Sequence, residues 1–300
     1  MNRAQMQVHW IFVIAAGSLI LIFLIGFAVK YNDLQSAKLD ADIARYIDNA
    51  INGLKVNEQF KIVQLSEITN LEFGCDDFIV NKNYKHRWPE NIVFAPKNLN
   101  GDNLIVWAKK FELPFAIDKL IFISEVNNKI YLIDDIYARE FKSYIPSIFN
   151  NIELIDIEAL SNLDKSGYKK TKVVAFSNSY NLNFLESDID IVYIDSDDYA
   201  FLSKDLILGK IFSDEESFTC SIEKIYEKSS LVARIYFEKS LYLRDCCSNY
   251  RCNYNSISAL LRSYDNLMTN KINDNQINMI KEDLVQKNEV LFGNDCRVVF

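Results

Sequence analysis

Asp190-Ile191-Val192-Tyr193-Ile194-Asp195-Ser196-Asp197-Asp198 is an apolar run that ends in carboxylates spaced Asp-x-Asp. Two carboxylates at the C-terminal end of a strand present hard oxygen donors, the type that suits a divalent cation. Asp195 and Asp197 are therefore the candidate metal ligands. The same Asp-Ser-Asp-Asp is also ordinary turn chemistry between two strands, and it lacks the Gly and Glu of an EF-hand loop. Imidazole chemistry has two possible sources, His9 and His86. His9 borders a long apolar run, and His86 stands in Tyr84-Lys85-His86-Arg87-Trp88-Pro89, which reads as a polar surface loop. No G-x-S-x-G, G-x-G-x-x-G or Walker pattern occurs, so nucleophile elbows and the familiar nucleotide cradles are absent from the sequence. No catalytic set emerges, and no cofactor is implied.

The six cysteines are Cys75, Cys220, Cys246, Cys247, Cys252 and Cys296. Six thiols allow fifteen full pairings, which spacing alone does not resolve. A helix beginning near Cys220 and ending near Cys246 would separate those two by about 39 Å. Disulfides need α-carbons within about 7 Å, so Cys220 cannot reach Cys246, Cys247 or Cys252. If the C-terminal helices alternate direction, Cys296 returns to the end that holds those three. The expectation is a disulfide cluster there, with Cys220 free or paired to Cys75, and six reduced thiols as the alternative. Cys247-x4-Cys252 lacks the tight C-x2-C pair of zinc sites, and no His lies nearby.

The elements that must position these groups begin with an anchor. Residues 11–29 are nineteen residues without a charge and with one hydroxyl, Ser18. As a helix they span roughly 28 Å, close to the hydrocarbon thickness of a bilayer. Trp10 at one end and Lys30 and Tyr31 at the other are the amphipathic residues expected at the two interfaces. The reading is a transmembrane helix over residues 8–29, with the lipid bilayer as its partner. No A-x-A site follows it, so the segment is expected to stay attached. Of the 33 basic residues only Arg3 and Lys30 precede residue 31, leaving 31 basic against 41 acidic side chains beyond it. Such an acidic head opposes binding to phosphate backbones, and nucleic acid is excluded as a partner. No basic run is longer than the short Lys169-Lys170-Thr171-Lys172.

Apolar spacing then predicts an amphipathic helix over 33–52, with Leu39, Ile43, Tyr46, Ile47, Ala50 and Leu54 on one face and Asn52-Gly53 as its stop. Short antiparallel strands are predicted at 60–65, 71–73, 78–80 and 92–94, a short helix at 103–112, and a hairpin of 119–124 with 129–133 about Asn127-Asn128. From 131 to 194 strands alternate with helices, the pattern of a small parallel or mixed sheet covered by helices. The last third is helical, with faces marked by Phe218, Ile222, Ile225, Val232, Tyr236 and Leu243, then by residues 256–269 and 274–292. The fold class is thus α/β, mixed α+β: an N-terminal transmembrane helix, a small mixed sheet with covering helices, and C-terminal antiparallel helices. The divisions fall at 1–30 (anchor), 31–57 (juxtamembrane helix), 58–214 (head) and 215–300 (helical region).

Arg3-Ala4-Gln5 before an apolar helix resembles the class III, prepilin-type signal of archaea, which a peptidase cuts before the Gln on the cytoplasmic side. The run from Gln5 through Trp10 to Gly17 resembles the opening of a family of single-pass membrane proteins from small-genome archaea, to which no activity is assigned. Ile92-Val93-Phe94-Ala95-Pro96 to Trp107 and the cysteine-bearing C-terminus are similar to further segments of that family. The resemblance implies a cytoplasmic N-terminus and a C-terminal domain outside the cell membrane. His9 stands where true pilins carry a glutamate. The Asp190–Asp198 stretch also looks like the metal-binding element of nucleotide-sugar-dependent glycosyltransferases, though those enzymes use a later histidine and none follows His86. The sequence reads as a membrane-anchored, externally exposed structural or interaction protein, with a metal-dependent glycosyltransferase or a minor-pilin-like subunit as alternatives.

Overall fold

A computed structural model describes residues 3–57, 60–163, 167–194, 203–247, 251–271 and 274–300. It opens on one helix, α1 (Arg3–Asn57). Residues 13–29 of it carry no charge and pack on nothing in the head: Ile14, Leu19 and Phe23 are 67%, 69% and 73% exposed. The most apolar window has a mean hydropathy of 2.4 and none of it is buried. Among the described residues this is one helix long and apolar enough to cross a membrane. Packing begins at Asp40, where Ile43, Ala44, Ile47, Ile51 and Leu54 are buried against a sheet.

Two expectations for this helix are corrected. Leu39 and Tyr46 face solvent, because the buried stripe runs through 40, 43, 44, 47, 51 and 54. A carboxylate can occupy that stripe because Asn81 and Asn83 donate to Asp40 at 2.7 and 3.1 Å. Both amides belong to a tight turn in which Asn81 and Lys82 take positive φ. Gly53 does not stop the helix, which continues to Asn57. A glycine ends a helix only when a left-handed residue is required there, and here the backbone stays helical.

The sheet under α1 has six strands: β1 (Phe60–Phe73), β2 (Asp77–Val80), β3 (Tyr84–Arg87), β4 (Ile92–Phe94), β5 (Asn98–Glu112) and β6 (Ala116–Glu125). Their order is β3-β2-β1-β5-β6-β4, antiparallel except for β4 beside β6. The helix expected at 103–112 is instead the centre of β5. Leu104, Val106 and Ala108 enter one core while Ile105, Trp107 and Phe111 enter the other. A strand buried on both faces reads as continuous apolar sequence, and that hid its period of two. His86 also departs from expectation: it is paired within β3, 5.2 Å from the Phe78 ring and 3.7 Å from Asp48 of α1.

A second sheet follows: β7 (Asn128–Ile133), α2 (Ile136–Tyr144), β8 (Ile152–Ile155), a 3-10 turn (Ile157–Asn162), β9 (Lys170–Ala175) and β10 (Ile189–Tyr193). All four strands are parallel, in the order β10-β9-β7-β8. The hairpin expected about Asn127-Asn128 does not form, since β6 ends one sheet and β7 starts the other. Both edges of β6 are taken by β4 and β5, and both edges of β7 by β8 and β9. The shared core holds Phe94, Trp107 and Phe122 from the first sheet, Leu132 and Val174 from the second, Phe141 from α2 and Phe212 from α3 (Lys204–Phe212).

Three helices complete the chain: α4 (Glu215–Cys247), α5 (Asn255–Asn270) and α6 (Asp274–Gly293). Ser230 meets Asp265 at 2.5 Å and Ser240 meets Ser258 at 2.7 Å, so α4 and α5 run antiparallel. Burial alone would raise the Asp265 carboxyl, but hydrogen bonds from Ser230, Arg234 and Thr269 outweigh it and hold the group below its ordinary value of 3.8. A depressed folded-state value gives stability that is complete above the ordinary value and is lost as pH falls through the folded one. Asp265→Asn is therefore expected to lower the melting temperature at neutral pH and to shrink the further drop between pH 7 and pH 3. Equal acid sensitivity in both proteins, read by circular dichroism, would remove Asp265 from this role.

Candidate functional site

The parallel sheet reverses its direction of winding between β7 and β9, because β8 lies on one side of β7 and the later strands on the other. In open sheets of this kind ligands favour the crevice outside the carboxyl ends of the strands at such a reversal. Here Asp134 and Asp135 follow directly on the end of β7 at Ile133. Asp135 accepts the Ala138 N–H at 2.7 Å and caps α2. Arg139 grips Asp134 through two bonds of 2.6 and 2.9 Å, and these hydrogen bonds hold that carboxyl below the usual range. Both carboxylates at the rim therefore already serve the fold. β10 runs parallel to β9 and leaves through Ile194, which is buried and donates to Ala175 O at 2.8 Å. Asp195 and Asp197 follow directly and lie outside the described residues. Among the described residues no group of three His, Cys, Asp or Glu side chains could hold a metal ion.

The opposite ends of the same strands border a polar cleft where the two sheets meet. A cavity of about 150 Å3 is lined by Lys97, Ser124, Asn128, Lys170, Lys172, Asp190 and Asp214, among others. Lys172 donates to Ile211 O at 2.9 Å and Ser213 O at 3.1 Å, closing the carbonyl end of α3. Burial pushes its amine down, against the pull of the Asp190 and Asp214 carboxylates. Lys170 reaches Asn98 O at 3.1 Å, and Lys169 reaches Asn100 O at 2.5 Å and Glu125 at 2.9 Å. The basic run of the sequence thus straps one sheet to the other. Spacing on a strand could reveal which lysines share a face, but not that carbonyls from distant segments meet them. Asn128 Oδ1 is buried in this wall without a hydrogen-bond partner among the described residues.

A third polar cluster joins α2, α3 and β5. Lys109 donates to the Tyr144 hydroxyl and lies 3.1 Å from Asp205, which accepts from Tyr144 at 2.5 Å. Burial pushes the Tyr144 phenol up, and the Asp205 carboxylate adds to it. A phenol so raised is a proton donor at neutral pH and not a base.

The cysteines come together as three pairs. Cys75 and Cys220 have α-carbons 5.7 Å apart, as do Cys252 and Cys296, and Cys246 and Cys247 adjoin at 3.8 Å. In each pair the sulfurs stand at disulfide distance. Cys75–Cys220 fastens the β1–β2 turn to the first turns of α4, beside Lys224, which donates to Cys75 O at 2.5 Å and Asn91 O at 3.1 Å.

Trp10 and Tyr31 lie on the exposed half of α1, 63% and 52% accessible, and Lys30 is exposed beside them. By helix rise Trp10 and Tyr31 stand about 31 Å apart, the separation of two bilayer interfaces. No protein-family model, no curated protein and no solved structure matches this chain.

Proposed function

We propose that this chain is a membrane-tethered structural or interaction protein, with the apolar half of α1 in the bilayer, the N-terminus in the cytoplasm and the head outside. One observation carries the reading. A long apolar segment is left unburied, yet it belongs to the same unbroken helix that forms one layer of the head. Apolar surface of this extent is far more stable in hydrocarbon than in water. Lipid covers it without any further protein.

The test is alkaline carbonate extraction followed by protease shaving of intact cells. The full chain is expected to stay with the membrane, and the head to be cut from outside. A head protected until lysis would reverse the orientation, and release by carbonate would remove the anchor. Replacing Leu21 and Ile25 together by arginine is expected to shift the protein to the soluble fraction, since each such charge costs about 3 kcal/mol at mid-bilayer. Retention of the double variant would count against insertion.

A second reading is favoured by the same helix. A lipid-borne half continuous with a half packed on an antiparallel sheet is also how pilins are built, and subunits of that kind pack through the apolar half. Recovery of the protein from sheared filaments, shortened by four residues, would favour that reading over an isolated tether.

A further inference from the structure

We propose that Cys246 and Cys247 form an exchangeable redox couple, opened and closed by external thiols, while the other two cysteine pairs are structural. The distinction follows from what each pair joins. Cys75–Cys220 closes a loop of 145 residues and Cys252–Cys296 one of 44. Cross-links of such length restrict the unfolded chain strongly, and by linkage the native fold protects them from reduction. Cys246 and Cys247 are sequence neighbours whose α-carbons lie 3.8 Å apart, the spacing a trans peptide already imposes. Bonding them joins nothing that the backbone leaves free, so folding lends this pair no protection. By loop length alone the structural pairs resist reduction on the order of a thousandfold better.

Access points the same way. The pair occupies the last turn of α4, where Cys246 is exposed and Cys247 half-buried. An incoming thiolate attacks Sγ of Cys246. The Cys246–Cys247 bond breaks, Cys247 departs as a thiolate, and a mixed disulfide forms on Cys246. A second external thiol displaces Cys246, so the pair gains two electrons and two protons while two thiols become one disulfide. Partial negative charge at the carbonyl end of a helix opposes the thiolate of Cys247. The external thiolate therefore sets the pace of opening, which quickens as pH rises. The reverse sequence, with an external disulfide as oxidant, closes the ring again.

The test uses the full-length chain, purified oxidised in detergent and equilibrated in glutathione buffers of graded ratio. N-ethylmaleimide traps the thiols, and peptide masses locate them. Because no membrane sidedness enters, the outcome is separate from the fate of the proposed topology. Cys246 and Cys247 are expected to gain label together, at a squared-glutathione to disulfide ratio about a thousandfold below that of the other four. Labelling of all six together, labelling of Cys246 and Cys247 before any reductant, or their recovery joined to Cys252 or Cys296 would each overturn the proposal. The variant Cys246→Ser is expected to lose the low-ratio step and keep its melting temperature. A melting temperature that falls as far as in Cys252→Ser would make the pair structural and overturn it as well.

Discussion

Replacing Ile47 by alanine is expected to lower stability by about 2–5 kcal/mol and to loosen α1 from the head before the head itself unfolds. Ile47 is fully buried in the middle of the seam, packed into the core that Leu71, Val106 and Ile121 build from three strands. Truncating it removes transfer energy and leaves a cavity between a rigid helix and a rigid sheet, neither of which can collapse to fill it. Tyr46 is the matched control, because 43% of it is exposed; Tyr46→Ala is expected to change stability by about 0.5 kcal/mol or less. Hydrogen exchange across residues 40–54 reads the difference. Ile47→Ala should accelerate exchange there ahead of β5 and β6. Equal exchange in the two variants would mean that the seam is not what holds the helix.

Gly209→Ala is expected to cost about 1–3 kcal/mol even though alanine is the better helix former by about 1 kcal/mol. Gly209 lies inside α3, and an added Cβ would stand 2.5 Å from Cε1 and 2.6 Å from Cδ1 of Phe94. That ring has no room to retreat. It is fully buried, with ring centres of Phe122 at 5.5 Å and Phe218 at 6.1 Å. Gly53 supplies the contrast, since nothing lies within 4 Å of its added Cβ. Gly53→Ala should therefore stabilise by about 0.5–1 kcal/mol through helix propensity alone. Denaturant midpoints of the two variants should move in opposite directions. A shared direction would show that β4 and α3 do not approach this closely.

Much of the architecture was legible because hydrophobic spacing reports burial on one side. The apolar first half of α1, the strand–helix alternation after residue 128 and the three C-terminal helices all declare themselves in this way. The failures share a cause. β5 is buried on both faces, so Leu104-Ile105-Val106-Trp107-Ala108 shows neither the alternation of a strand nor the polar flank of a helix. Apolar spacing misplaces the stripe on α1 because Asp40 belongs to it. A buried acid is acceptable only once two asparagines from a turn some forty residues away are known to meet it. The candidate ligands Asp195 and Asp197 rest on type and spacing alone and lie outside the described residues, and the lysine cleft is not legible by either. Lys170 and Lys172 owe their placement to carbonyls of Asn98, Ile211 and Ser213, which come from segments distant in sequence. Loop length, by contrast, is plain arithmetic on positions once the structure has given the pairing, and it then separates one cysteine pair from the other two.

The unbroken course of α1 through the stalk has a mechanical corollary. Under the proposed anchoring of its first half in lipid, the helix would extend about 40 Å from Lys30 to Asn57, and a lean of about 20° would carry the far end roughly 14 Å sideways. No hinge absorbs that travel. A thinner bilayer, which makes an apolar rod lean further, would swing the whole upper body across the membrane plane like the hand of a gauge.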